Sequence, residues 1–247
     1  MAQVSPGLKL VSLNIEGSKH LDLVLSFLER EAPDVVCVQE LFESDAPLFE
    51  SRLGMEHAFA PICRWDQDGS KAAPEPWGVA IFSKLSLRNV RVDYYVGNAN
   101  SIPVHTRGKP ETLYNALLSA EVAKDGTTFT VGTTHFVWTP NGEADDRQRR
   151  ALAPFFKILA TYPEITFSGD FNAPRGKEVF DAIAARYKDN IPVEYKTSLD
   201  GGVHRAGKLE LMVDGLFTTP QYVAEGTKLV GGVSDHMAIV SHIRRAI

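Results

Sequence analysis

Acidic and amide side chains recur at the ends of predicted strands, and the last of them is followed directly by a histidine. Carboxylates gathered at one end of a sheet repel each other strongly unless a cation lies among them. Oxygen ligands select hard ions such as magnesium, manganese or calcium. Magnesium leaves coordination positions for water and substrate phosphate, so this pattern favours phosphate chemistry. The residues concerned are Asn14, Glu16, Glu40, Asp170, Asn172, Asp214, Asp235 and His236.

Four of these residues form two pairs, Asn14 with Glu16 and Asp170 with Asn172. Side chains two positions apart on an extended segment point to the same side. We therefore expect each pair to act together from a rigid strand end.

Two other kinds of catalytic site have no motif in the sequence. There is no Cys/His cluster for zinc, and no Gly-x-x-x-x-Gly-Lys-Ser/Thr loop for a nucleotide. Cys37 lies in an apolar run and Cys63 in a predicted loop, without metal-type spacing, and we interpret both as reduced.

The composition is that of an ordinary soluble globular protein, with 44% hydrophobic and 23% charged residues among 247. We expect one domain over residues 1–247. A formal net charge of −5 argues against a surface that attracts polyanions everywhere, but leaves room for a local basic patch. The first 25 residues lack an export signal and no run of about 18 apolar residues occurs, which predicts a cytoplasmic protein without membrane insertion.

The elements that must position these side chains alternate between strands and helices. In the first half, Ser18 is the predicted cap of a helix that Pro33 ends, and its apolar residues follow helical spacing. An apolar run before Gln39 and Glu40 predicts a strand buried on both faces. The predicted strands are residues 8–13, 34–38, 77–82 and 87–95, and the predicted loops are residues 63–76 and 97–110.

The second half contains a predicted hairpin, two helices and further strands. Asp125-Gly126 is a strong turn signal between strands 113–122 and 128–136. The helices are expected at residues 143–160 and around 179–187, and the strands at residues 165–169, 209–217 and 237–243. Two sheets packed together with helices outside would satisfy this pattern, and the halves resemble a loose duplication without a provable sequence repeat.

Six short motifs have the order and rough spacing of the endonuclease/exonuclease/phosphatase superfamily. Each is weak alone, but six in order over about 220 residues are highly specific. They are Ser12-Leu13-Asn14, Val38-Gln39-Glu40, Thr134-His135-Phe136, Gly169-Asp170-Phe171-Asn172, Val213-Asp214-Gly215 and Ser234-Asp235-His236. The resemblance implies an α/β (α+β) fold, a four-layer αββα sandwich of two packed mixed β-sheets flanked by helices, with the site at one end of the sheets.

The resemblance also implies a metal site for Mg²⁺ or Mn²⁺. Glu40 resembles the principal metal carboxylate, with Asn14 beside it, and Asp235 closes the site. Glu16 is a further expected ligand, although many nucleic-acid-cleaving relatives have the shorter aspartate at this place.

By the same resemblance, Asp214 orients His236, which acts either as a base or as a phosphate-binding cation. Asp170 resembles the carboxylate that aligns or deprotonates the attacking water. Asn172 is expected to donate a hydrogen bond to the phosphoryl oxygens, and His135 to be a second phosphate ligand.

Substrate contacts are expected from Arg107, favoured over Lys109 for its bidentate geometry, and from Trp138, which follows His135 closely. The arginines at 147, 149 and 150 are interpreted as a solvated helix face.

These expectations describe a metal-dependent phosphoesterase that acts on DNA, closest to the branch of 5′-tyrosyl-DNA phosphodiesterases and related nucleases. The same motifs also serve sphingomyelinases and inositol-phosphate phosphatases, and the acidic charge balance does not favour nucleic acid. A catalytically inactive scaffold that binds phosphorylated partners is the third alternative.

Overall fold

The computed structural model describes residues 7–246, which form two mixed six-stranded β-sheets and four α-helices. The first sheet contains, in spatial order, β11 (Tyr222–Val230), β12 (Ala238–Arg245), β1 (Gly7–Asn14), β2 (Val35–Phe42), β4 (Glu75–Ser83) and β3 (Glu56–Trp65). The second contains β5 (Arg88–Val96), β6 (Asn115–Lys124), β7 (Thr127–His135), β8 (Thr166–Asp170), β10 (Asp214–Thr218) and β9 (Lys188–Asp189). The helices are α1 (Leu21–Glu31), α2 (Ala46–Leu53), α3 (Asp146–Leu159) and α4 (Glu178–Ala184). The predicted domain bounds, residues 1 and 247, lie outside the described residues.

Both sheets are built around one parallel strand pair with antiparallel neighbours. β1 and β2 are parallel and are connected through α1, whereas β7 and β8 are parallel and are connected through α3. On either side of each pair, the neighbouring strands run antiparallel. The loose duplication expected from the sequence is therefore visible as matching strand order. The carboxyl ends of each parallel pair meet at one edge of their sheet, which is where ligands bind in many α/β proteins.

The four layers are αββα, as predicted, because three apolar clusters fill the spaces between them. The cluster between the sheets includes Leu10 and Val35 of one sheet and Leu118 and Val131 of the other. A second cluster joins α1 and α2 to the outer face of the first sheet, and a third joins α3 and α4 to the second sheet. Burying these apolar faces is the main favourable contribution to folding.

The predicted hairpin is confirmed between β6 and β7. Asp125 and Gly126 have φ values of 50° and 77°. Positive φ at both central residues is characteristic of a type I′ turn, which matches the twist of the flanking strands.

Several sequence expectations were wrong in detail. Ser18 does not cap α1; its hydroxyl donates to Asp45, and the residue before the helix is His20, whose side chain makes no capping bond. Cys63 lies on β3 and is buried, so the predicted loop shortens to residues 66–74. A bulge between Pro61 and Cys63 interrupts the alternation that would have identified this strand.

Four elements were not predicted as separate units: α2, β3, β11 and the two-residue strand β9. The eight-residue α2 and the edge strand β11, which carries a bulge, have weak periodic patterns. The strand expected at 209–217 begins only at Asp214. Among residues 7–246, no helix has the length and apolar character needed to cross a membrane.

Candidate active site

Three site residues lie side by side across the second sheet. His135 at the end of β7 pairs with Asp170 at the end of β8, and Asp170 pairs with Asp214 at the start of β10. The neighbouring Gly169 permits this arrangement, since a Cβ there would lie 1.9 Å from the carbonyl oxygen of Thr134. The strand register therefore fixes three chemical groups in one row.

His236 joins this row from the segment before β12. Its Nδ1 lies 2.8 Å from Asp214 Oδ2, and its Nε2 lies 3.8 Å from Asp170 Oδ2. The backbone around His236 is held by a bridge to Leu199. Asp214 and His236 thus form a buried hydrogen-bonded pair whose second ring nitrogen faces Asp170.

Two residues of the first sheet face the row from the opposite side. Asn14 ends β1, and its Nδ2 donates to Glu40 Oε1 at 3.0 Å and to Asp170 Oδ2 at 3.2 Å. Glu40 occupies the bulge of β2 between Gln39 and Leu41, with φ of 64°. Positive φ at a non-glycine residue costs of order 1–3 kcal/mol, and bulges often re-aim a side chain. Here the bulged residue contacts the other sheet's site residues.

His135 connects the two sides. Its Nε2 lies 3.5 Å from Asp170 Oδ2 and 3.7 Å from Glu40 Oε1. Residues 7–246 contain two sets of three possible metal ligands. Within each set the ligand atoms all lie within 4.8 Å of one another, and Asp170 belongs to both sets. The members of the two sets are Glu40, His135 and Asp170 in one, and Asp170, Asp214 and His236 in the other.

Both histidines bind protons more tightly than usual. Burial by itself lowers the pKa of His236, but the charges of Asp214 and Asp170 outweigh it and raise that pKa well above its ordinary value. The pKa of His135 is also raised, because Asp170 and Glu40 more than offset its burial. At neutral pH His236 is therefore expected to carry a positive charge.

The surroundings shift the pKa values of the carboxylates in different directions. Burial raises the pKa of Glu40 and of Asp214, despite the histidines beside them. Burial acts in the same direction on Asp170, but His236 and His135 outweigh it and lower the pKa of Asp170 below its usual range. Asp170 is consequently the ionised centre of the cluster.

The charges of the cluster fit a divalent cation. Asn14 Nδ2 donates hydrogen bonds to both Glu40 and Asp170 and so holds the two carboxylates near each other. The charge of Asp235 contributes to raising the pKa of Glu40. Two histidines cannot neutralise four carboxylates even when both are protonated. Carboxylate oxygens suit hard ions such as Mg²⁺ or Mn²⁺. The donor set therefore fits such an ion.

The two expected residue pairs do not act as pairs on extended strands. The backbone N–H of Glu16 donates to Asn14 Oδ1 at 3.0 Å, and that of Asn172 donates to Asp170 Oδ1 at 2.8 Å. Glu16 and Asn172 both have φ of 51°. Each pair is an Asx-type turn in which the first side chain binds the backbone two residues later. The same-side expectation was wrong because the chain turns where the strand ends.

The carboxylate of Glu16 makes its contacts outside the active-site cluster. One carboxylate oxygen binds Lys19, and the other lies 3.0 Å from His20 Nε2. Glu16 does not belong to either clustered set within the described part of the chain.

Asn172 and Asp235 lie at the edges of the cluster. Asn172 Nδ2 donates to the carbonyl oxygen of Phe136 at 3.1 Å, which leaves its second N–H for another acceptor. Asp235 is buried, with Oδ1 accepting from the hydroxyl of Ser234 at 3.1 Å. The backbone N–H of Asp200 binds the carbonyl of Asp235, which fixes this segment.

The two expected substrate-binding residues have different surroundings. The side chain of Arg107 is 76% exposed and pairs with Asp68 at 2.5 Å, in two loops that both lie outside the cluster. Trp138 is 52% exposed and lines a cavity of about 440 Å³ that also reaches His135. Arg147 and Arg150 line this cavity as well, so the interpretation of these two as a merely solvated helix face was incomplete.

Sequence reasoning missed two supporting residues. The hydroxyl of Ser198 accepts hydrogen bonds from the backbone N–H groups of Val213 and Asp214, both at 3.0 Å. Gln39 Nε2 donates to Thr133 Oγ1 at 2.9 Å and so joins the two sheets behind the site. Ser198 lies in an irregular segment, where a serine gives no local signal of its role. Gln39 could have been identified, because a polar residue inside an apolar strand run is such a signal.

Comparisons with solved structures agree with this architecture. An endonuclease/exonuclease/phosphatase from Bacteroides vulgatus has a TM-score of 0.72 and 17% identity, covering 98% of this chain and all 100% of that chain. The catalytic domain of human Nocturnin, with bound sulfate, has a TM-score of 0.72 and 18% identity over 98% of this chain and 94% of that one. D. rerio TDP2, humanized by 14 mutations, has a TM-score of 0.69 and 16% identity over 96% and 99% of the two chains.

A comparison with curated protein sequences gave no significant match. The family model described as the Endonuclease/Exonuclease/phosphatase family matches residues 11–236, which includes every residue of the cluster. The chain belongs to the endonuclease/exonuclease/phosphatase family.

Proposed function

We propose that the protein hydrolyses phosphodiesters with the help of a divalent metal, Mg²⁺ or Mn²⁺. The observation that carries this proposal is the row formed by His135, Asp170 and Asp214, faced by Glu40 from the other sheet. One partly buried site thus contains an ionised carboxylate and the hydrogen-bonded pair of Asp214 and protonated His236. It also contains more carboxylates than its histidines can neutralise. Members of this superfamily are phosphoesterases, typically dependent on a divalent metal.

The metal is held in this proposal by Glu40, with Asn14 and Asp235 beside it. When bound there, such an ion would supply Lewis-acid polarisation of a phosphate oxygen and would offset the charge that develops during displacement. We do not include Glu16, because its carboxylate already binds Lys19 and His20.

The proton-handling part is assigned to Asp170 and Asp214 of the second sheet and to His236, which precedes β12 of the first sheet. Asp170 is ionised and accepts the proton of the attacking water, which it also orients. His236 carries a proton held by Asp214, so it binds the phosphate as a cation rather than acting as the initial base. His135, whose pKa is raised by Asp170 and Glu40, is a second phosphate-binding residue, and Asn172 donates its remaining N–H to a phosphoryl oxygen. Fixed donors of this kind stabilise the charge of the transition state.

DNA is the first candidate substrate. D. rerio TDP2, solved in complex with a single-strand DNA product, shares the fold with a TM-score of 0.67 at 15% identity. Trp138 is exposed enough to stack on a base, and Arg147 and Arg150 lie near it around the cavity. Arg107 remains a predicted substrate contact that would need its loop to approach the cluster. The cytoplasmic location likewise stays a prediction from the sequence.

A small phosphodiester is the second candidate. Two observations favour it: the net charge of −5, and a cavity of about 440 Å³ whose size suits a small molecule rather than an extended duplex.

The test is hydrolysis of bis(p-nitrophenyl) phosphate and of a labelled DNA hairpin, with Mg²⁺, Mn²⁺ or EDTA. Wild type is compared with Glu40→Gln, and Glu43→Gln is the matched control because Glu43 is exposed on the segment that follows β2. We expect metal-dependent turnover that Glu40→Gln lowers by about a hundredfold or more and Glu43→Gln leaves unchanged. Turnover that survives EDTA, or that Glu40→Gln does not affect, would refute the proposal.

A further inference from the structure

A cavity of about 440 Å³ adjoins the active-site cluster and lies beyond the groups that act on the phosphate. It lies between the start of β4, the end of β5 and the segment that follows β7. Its walls include Trp77, Val96, Leu113 and Trp138, and it reaches the cluster at His135. Cavities of this size commonly hold small ligands, and their walls are largely apolar with a few polar groups.

Two buried ring nitrogens at this cavity have no hydrogen-bond partner within residues 7–246: Trp77 Nε1 and His135 Nδ1. Trp77 is 4% and His135 8% exposed, so both side chains are more than nine-tenths buried. Their rings meet edge to face, with centroids 5.6 Å apart at 70°. Both nitrogens are shielded from the cavity as well as from protein partners, so the two residues contribute aromatic ring surface to its wall.

Charge favours an anionic ligand in the same place. Arg147 and Arg150 of α3 line the cavity, against one acidic residue, Glu111. Arg150 is exposed, and Arg147 pairs with Asp145 at 3.0 Å. Arginine also stacks on flat rings, and ring-on-aromatic contacts add to ordinary apolar burial.

We propose that this cavity binds a planar aromatic group carried by the phosphate ester that the cluster hydrolyses. The inference rests on the proposed function, since it names the substrate class of that site. His135 belongs to both places: its Nε2 faces Asp170 and Glu40, while the ring also lines the cavity. A phosphate at the cluster would therefore place its substituent at the cavity mouth. Aromatic walls flanked by two arginines suit a planar ring better than a lipid chain.

The experiment compares two stable phosphate mimics, phenylphosphonate and methylphosphonate, which share the anionic group and differ in the ring. Binding is measured by calorimetry in the presence of Mg²⁺, with no turnover required. We expect phenylphosphonate to bind wild type at least about tenfold more tightly, because its ring leaves water for an apolar site.

Two variants locate the ring. Val96→Trp fills the cavity from the half-buried end of β5, and Val92→Trp, at a 38% exposed position of the same strand, is the matched control. Val96→Trp should bring the affinity ratio of the two phosphonates close to one, and Val92→Trp should leave the wild-type ratio. Trp138→Ala should reduce the ratio severalfold without filling the cavity, and because Trp138 is half exposed it should not disturb folding.

The results separate this inference from the proposed function. Equal affinities of wild type for the two phosphonates, or a ratio that Val96→Trp and Trp138→Ala leave unchanged, would overturn the inference even if phosphodiesters are hydrolysed. Preferential binding of phenylphosphonate that Val96→Trp removes would support the ring site even if no hydrolysis is found, in which case only the proposed function fails.

Discussion

The two parallel strand pairs of this protein place site residues with the same kind of backbone turn, but the residues they place have different chemical roles. β1 and β8 each end in a turn where a side-chain oxygen binds the backbone N–H two residues on, at Asn14 in the first sheet and Asp170 in the second. Their surroundings then differ. In the first sheet, Glu40 keeps 20% of its side chain exposed. Asp170 and Asp214 of the second sheet are almost completely buried, together with His236, which reaches them from the segment before β12 of the first sheet.

The comparison indicates that the site has two halves with different tasks: Glu40 with Asn14, and the buried network of Asp170, Asp214 and His236. An accessible carboxylate next to an amide can exchange water for a metal ion, while a buried hydrogen-bonded network holds protons at fixed positions. Asp170 is the point of contact, because it lies within reach of Asn14, His135 and His236 at once. Variants of each half should therefore have different effects.

The largest effect is expected from Asp170→Asn, because this residue belongs to both halves. The amide has the same shape but cannot accept the proton of water, so kcat on bis(p-nitrophenyl) phosphate should fall by about a hundred- to ten-thousandfold. Circular dichroism should remain that of wild type. Asp146→Asn is the control, since that carboxylate is 81% exposed. A kcat within tenfold of wild type would show that Asp170 is not the proton acceptor.

The next effect is expected from Ser198→Ala, which acts only on the second half. It removes the acceptor of two buried backbone N–H groups, those of Val213 and Asp214, and should cost about 1–3 kcal/mol of unfolding free energy. Displacement of Asp214 should also lower kcat, with little change in the affinity for Mg²⁺ held by the first half. Urea denaturation and a metal titration measure the two effects. Weakened metal binding with normal kcat would contradict this division between the two halves of the site.

The protonated pair predicts a pH dependence of stability in EDTA. The pKa of His236 is raised in the folded protein, so the stability it contributes is complete below the unfolded value near 6.5 and is lost as pH rises through the folded value. The difference in unfolding free energy between wild type and His236→Gln should shrink as pH rises above about 6.5. A difference that stays constant or grows over this range would mean that His236 is neutral in the folded protein.

The smallest effect is expected from Glu16→Gln. Its carboxylate contacts Lys19 and His20 rather than the cluster, so kcat and Mg²⁺ affinity should change by less than about threefold, in line with a surface ion pair. Asn14→Ala, two residues earlier, should lower both much further. If Glu16→Gln weakened Mg²⁺ binding as strongly as Asn14→Ala, Glu16 would be a metal ligand, as the sequence resemblance implied.

Much of the fold was accessible from the sequence because its signals are local. The apolar run of β2, the helical spacing of α1 and the Asp125-Gly126 turn each depend on residues that are neighbours in the chain. The elements that were missed depend on distant partners. β3 owes its strand conformation to pairing with β4 through a bulge at Pro61, which local alternation does not reveal.

The sequence by itself determined the residue types of the site, the family resemblance and the four-layer fold. Only the tertiary structure decided how those residues divide between the two sheets. Strand register placed Asp170 between His135 and Asp214, and a bulge turned Glu40 toward them. Turns of the chain that follow Asn14 and Asp170 separated the members of the expected pairs. Packing of α3 against the segment after β7 placed Arg147 on the cavity beside His135. These relations depend on contacts between residues far apart in the chain, so no local pattern of residues encodes them.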